Sequence, residues 1–94
     1  MITIRNTNEN FIIDFDTLES WDDFENIIEI LKKSYDLKVT NKLDGPESRI
    51  WDIELDGLLY SLHNNPYGNY LKAVNPKSIQ YLRDTLGHIQ VHFL

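Results

Sequence analysis

Asp52, Glu54 and His63 are the residues of this chain whose types and spacing suit acid–base chemistry. If residues 49–63 form a hairpin, all three share one face and Asp52 lies diagonal to His63. A carboxylate beside an imidazole is a minimal acid–base pair. The same arrangement is far commoner as polar neighbours on a half-solvated sheet, and no nucleophile elbow, Gly-rich phosphate loop or HExxH motif accompanies it. His88 and His92 are four apart, a chelating spacing on a helix. Gly87, however, is expected to end the helix just before them. In a strand the two imidazoles would stand about 13 Å apart, too far to share one metal. The chain has no cysteine, which excludes disulfides and Cys-based zinc sites. The expectation is therefore no metal, no cofactor and no catalysis. A small enzyme using the Asp52/His63 face is kept as an alternative.

Charge supplies a sharper feature. Residues 14–29 hold Asp14, Asp16, Glu19, Asp22, Asp23, Glu25 and Glu29 with no Lys or Arg, a sum of −7. The remaining eight acids and nine bases sum to +1, so this one segment carries essentially the whole net charge of −6. An acidic chain lacks the basic face that nucleic acid or an anionic membrane requires. It suits attraction to a basic protein partner, because long-range charge speeds association. On a helix Asp22, Glu25 and Glu29 share one face, Asp23 lies at its edge, and Asp16 and Glu19 extend the patch at the positive helix end. A solvated helix face is the plainer account of the same acids. A second candidate is the stretch Asn65-Pro66-Tyr67-Gly68-Asn69-Tyr70, which displays two tyrosines in a polar loop. Tyr offers large contact area at low entropy cost and recurs in binding loops. The alternative is a tight turn with both rings folded onto the sheet.

The elements that position these residues start from Asp56-Gly57. An Asp-Gly pair between two alternating apolar runs signals a type I′ hairpin, which needs φ > 0 at both central residues. A two-residue turn sets Leu55 opposite Leu58, Ile53 opposite Tyr60, Trp51 opposite Leu62 and Arg49 opposite Asn64. The first three pairs place six large apolar side chains on one face, and Glu54/Leu59, Asp52/Ser61 and Ile50/His63 on the other. Upstream, Ile2-Thr3-Ile4 and Phe11 to Phe15 read as strands joined by an Asn-rich turn over residues 6–10. A helix is predicted from about Ser20 to Tyr35, capped by Ser20 or Thr17, with Trp21, Phe24, Ile28, Leu31 and Tyr35 as its apolar stripe. Leu37 to Leu43 reads as a strand with Leu37, Val39 and Leu43 on one side, and Asp44 to Glu47 as a turn. Residues 64–68 read as a five-residue loop before a strand over 69–74. Asn75-Pro76 opens a second helix with Ile79, Leu82 and Leu86 buried, ended by Gly87. Ile89 to Phe93 alternates, as an edge strand or a packed tail.

The fold class implied is α+β: one domain over residues 1–94, a mainly antiparallel sheet with two helices packed on one face. At 41% hydrophobic and 12% aromatic, the chain can bury a core without staples. No apolar run is long enough to span a membrane and no signal-peptide pattern opens the chain, so a cytoplasmic location is expected.

In size, acidity, absence of cysteine and the Asp14–Glu29 run, the chain resembles small bacterial immunity proteins. These include the immunity partners of contact-dependent growth inhibition toxins and barstar-like nuclease inhibitors. The Asp44-Gly45-Pro46 turn and the Trp51–His63 hairpin are also similar to small bacterial proteins of this kind. The resemblance implies tight binding to one protein toxin, without catalysis. The expected binding residues are Asp16, Glu19, Asp22, Asp23, Glu25, Glu29, Tyr67 and Tyr70. An orphan adaptor or regulatory domain is the other protein-binding alternative.

Overall fold

The computed structural model describes residues 2–6 and 10–93. Six strands and three helices follow in the order β1 (Ile2–Asn6), β2 (Phe11–Phe15), α1 (Trp21–Ser34), β3 (Leu37–Asp44), β4 (Arg49–Leu55), β5 (Leu58–Asn65), β6 (Gly68–Ala73), α2 (Pro76–Asp84) and α3 (Leu86–His92). The strands form one antiparallel sheet in the spatial order β1-β2-β6-β5-β4-β3. The turn expected between the first two strands falls largely on residues 7–9, outside the described residues.

The β4–β5 hairpin has the register the Asp-Gly turn dictates: Leu55 opposite Leu58, Ile53 opposite Tyr60, Trp51 opposite Leu62 and Arg49 opposite Asn64. Asp56 and Gly57 lie at φ 51° and 86°, as a type I′ turn requires. Their inward face joins Phe11, Ile13, Phe15, Leu71 and Ala73 of β2 and β6 to form the sheet side of the core. Phe24, Ile27, Ile28 and Leu31 of α1, Leu82 of α2, and Ile89 and Phe93 at the C-terminal end close it from the other side. Ser20 caps α1 in a reciprocal box with Asp23, and the bond to Ser20 holds the Asp23 carboxyl below its usual range.

Five expectations need correction. Trp21 is not core: it is 42% exposed, because one ring face covers the Arg49 guanidinium at 4.7 Å. Arg49 itself is buried among Trp21, Phe24 and Trp51 and is held by Asp44 at 3.0 Å and Glu25 at 3.5 Å. Leu43 does not share a side with Leu37 and Val39. A β-bulge between Val39 and Asn41 shifts the pairing, so Leu43 faces Ile50 on the outer side while Lys42 swings over the Trp51 ring at 4.4 Å. Residues 64–68 are not a five-residue loop, since Asn64 pairs with Asn69 and Asn65 with Gly68, leaving a two-residue turn at Pro66-Tyr67. The second helix stops at Asp84 rather than Gly87, and Ile89 to Phe93 belongs to a third helix and its cap instead of a strand. Thr85 makes that break. Its hydroxyl donates to the Tyr81 carbonyl at 2.9 Å and shares a 2.7 Å hydrogen bond with the Tyr35 hydroxyl.

This account predicts opposite outcomes for two leucine-sized side chains. Ile53→Ala should lose about 2–5 kcal/mol in denaturant unfolding, as a fully buried large-to-small change. Leu43→Ala, at a position 63% exposed beyond the bulge, should change stability by less than about 0.5 kcal/mol.

Candidate functional site

Residue by residue, the structure sorts the acidic run into three groups. Asp14, Glu25 and Glu29 are ion-paired with Arg5, Arg49 and Lys32. Asp23 serves the helix cap. Among the described residues Asp16, Glu19 and Asp22 have no ion-pair partner. The −7 of the sequence is thus partly neutralised in the fold, and what remains concentrates at the connection between β2 and α1. Glu25 and Glu29 instead border a separate groove against Val39, Lys42 and Trp51.

That connection meets the β5–β6 turn. Asn69 is buried, and its side-chain amide donates to the Leu18 carbonyl at 2.7 Å and the Ser20 carbonyl at 3.0 Å. Asn64, opposite it, donates to the Asn69 side-chain oxygen at 2.7 Å. This chain of amides gives the buried Asn64 and Asn69 side chains hydrogen-bond partners, as buried polar groups require. It locks the turn against the loop before α1. Gly68, at φ 136°, sits 3.5 Å from Glu19 as measured from where a Cβ would stand. Asn65 accepts from the Tyr67 amide at 2.8 Å, which shapes the turn.

Between these two segments lies a cleft of about 450 Å³, whose walls include Asp16, Glu19, Tyr67 and Tyr70. Four of the eight residues singled out from sequence therefore surround one cavity. Tyr67 stands 92% exposed at the turn tip. Tyr70 lies on the sheet, stacked on the His63 ring at 4.6 Å with 6° between planes. Sequence reasoning missed Arg5 and Lys72, which also line the cleft, and the buried Asn64–Asn69 pair. Reading Pro66-Tyr67 as a two-residue turn would have set Asn64 opposite Asn69. Asp22, Asp23, Glu25 and Glu29 lie along α1, outside the cleft lining.

The proposed acid–base pair is arranged differently. His63 Nε2 shares a 2.8 Å hydrogen bond with the Ser61 hydroxyl, its neighbour on the same face of β5. Burial and then Lys72 push the His63 pKa down, while Asp52 acts weakly the other way. A hydroxyl beside a neutral imidazole supplies a nucleophile and a base. Acyl transfer also needs donors aimed at a developing oxyanion, and the amides beside Ser61 lie in strands paired on both sides. His88 and His92 are on α3 at helical spacing, and both are exposed. Among the described residues no group of three or more His, Cys, Asp or Glu side chains is placed to hold a metal. Among the same residues no helix is long and apolar enough to cross a membrane.

Comparison with family models, with curated proteins and with solved structures finds no match for this chain.

The lowered His63 pKa makes a pH prediction. The unfolded chain binds the proton more readily, so this contribution is complete above the ordinary histidine range and is lost as pH falls through the folded pKa. Between about pH 7 and pH 5 the melting temperature should fall, and His63→Gln should flatten that slope. An identical slope in both proteins would mean that His63 titrates as an ordinary surface histidine.

Proposed function

We propose that this chain is a non-catalytic inhibitor that binds a basic protein, of the nuclease-toxin kind, through the cleft end of the sheet. The observation that supports it most is the convergence of Asp16 and Glu19 with Tyr67 and Tyr70 around one cleft, from segments some fifty residues apart. Carboxylates free of intramolecular ion pairs can meet lysine or arginine side chains, as substrate phosphates would in a nuclease. They also accelerate encounter with a cationic surface. Tyr67 then supplies an aromatic anchor of the type that dominates interface energetics. The amide network beneath it fixes the turn that carries Tyr67, which lowers the cost of ordering that backbone on binding.

The acids along α1 take the lesser part in this reading. Glu25 and Glu29 already have partners in Arg49 and Lys32, so a partner's cation would have to compete for them.

The test is capture of the partner from the native cell, followed by affinity measurement with variants. Tyr67→Ala should weaken binding by about tenfold or more without lowering the melting temperature, as expected of an exposed hot-spot aromatic. Asp16→Lys combined with Glu19→Lys should slow association and remove most of its salt dependence. Asp22→Lys with Glu29→Lys should do less. Unchanged affinity in the first two variants would remove the cleft from the interface.

A further inference from the structure

The outer face of the sheet, turned away from the helices, adjoins the cleft and shares Tyr70 and Lys72 with it. It exposes Leu59 at 57% and Val74 at 59%, with Ile50 and Leu43 beyond them. Along one row Asp52, Ser61 and Lys72 stand side by side on β4, β5 and β6. Among the described residues neither Asp52 nor Lys72 has an ion-pair partner. The two border a shallow depression of about 290 Å³, which Ser61, Leu59 and Val74 also line. Opposite charges therefore flank β5, one strand away on either side.

We propose that this face packs against the same face of a second copy of the chain, about a two-fold axis running along β5. Rotation about that axis exchanges the strands on its two sides, so β6 of one copy lies over β4 of the other. Lys72 of each copy then meets the partner's Asp52, and the pair forms twice. Leu59, on the axis strand, meets the partner's Leu59, and Tyr70 lies over the partner's Ile50. A face of one sign would repel its own copy, whereas here the signs exchange under the rotation. That is the self-complementarity an isologous contact demands.

Twist is tolerated. Aligned sheets cross at about 30° and lie about 10 Å apart. With the crossing point at Ser61, a residue one strand from the axis moves only about 2.5 Å from its ideal position. A lysine side chain spans that. Five strands, β2 to β3, face their counterparts while β1 overhangs; at about 4.8 Å per strand and five residues at about 3.3 Å, the footprint is roughly 400 Å² per copy, in the range of weak, transient contacts. The dimer is therefore reversible rather than obligate. Because the axis runs along the strands, both Tyr67 turns lie at the same end of the pair; the contact covers Tyr70 and Lys72 of the cleft, so dimerisation and partner binding compete.

Sedimentation equilibrium of the full chain, from about 5 μM to about 500 μM, tests this. The wild type should show a monomer–dimer equilibrium within that range. Lys72→Asp alone and Asp52→Lys alone should each weaken it at least tenfold, because each brings like charges together. An equimolar mixture of those two variants should form a heterodimer, since each then supplies the charge the other needs. Leu59→Arg, which sets two cations on the axis, should also dissociate the pair. Circular dichroism should show all variants folded. A wild type that stays monomeric throughout, or single variants that dimerise as well as it does, would overturn the proposal. So would two monomeric variants that fail to associate when mixed.

Discussion

Asp56 and Gly57 both sit at positive φ, and this left-handed pair fixes which side chain of β4 opposes which of β5. Side chains alternate along a strand, so a slip of one residue would turn Trp51, Ile53, Leu55, Tyr60 and Leu62 out to solvent together. The turn is also tied to the helical layer. The Asp56 amide donates to the Asp36 carbonyl at 2.9 Å, and its carboxylate accepts from the Asp36 amide at 2.7 Å and from the Tyr81 hydroxyl. That last bond raises the Tyr81 pKa. The same two-residue turn thus sets the register of the central hairpin and, through Asp56, anchors the exit of α1 and contacts α2.

The parts of this fold legible in the sequence are those governed by local rules. The hairpin register follows from two turn residues, and the α1 boundaries follow from the Ser20 cap and the apolar period. The misread parts depend on distant contacts. Trp21 fits the helical stripe, yet Arg49, twenty-eight positions later, draws its ring outward. Leu43 fits the alternation of Leu37 and Val39, but one extra residue at the bulge reverses its side. Ile89, Val91 and Phe93 alternate like a strand, while Ile89 and Phe93 are also four apart as in a helix. The exposure of Val91 beside buried Ile89 and Phe93 identifies the helical pattern as the real one. Nothing local distinguishes the two periods over five residues.

The candidate site was legible in its ingredients and hidden in its assembly. Acids and tyrosines stand out in sequence, but their meeting depends on Asn69 reaching the carbonyls of Leu18 and Ser20. The sequence also overstates the acidic patch, because Arg5, Arg49 and Lys32 come from elsewhere or from the helix end to neutralise part of it. Arg49 shows how firmly that part is held. Its guanidinium lies within 4.8 Å of three aromatic ring centres and is paired with two carboxylates. The charge left unpaired is smaller, and part of it lines the cleft beside the exposed Tyr67.

In the proposed reading, the partner is met at the cleft end of the sheet rather than along α1. Amide hydrogen exchange of the chain, free and in complex with the partner captured from the native cell, addresses this directly. Binding at the cleft should add protection in the loop of residues 16–20 and the turn of residues 65–70, with the exposed side of α1 little changed. Protection confined to residues 22–33, with the turn exchanging as in the free protein, would contradict it.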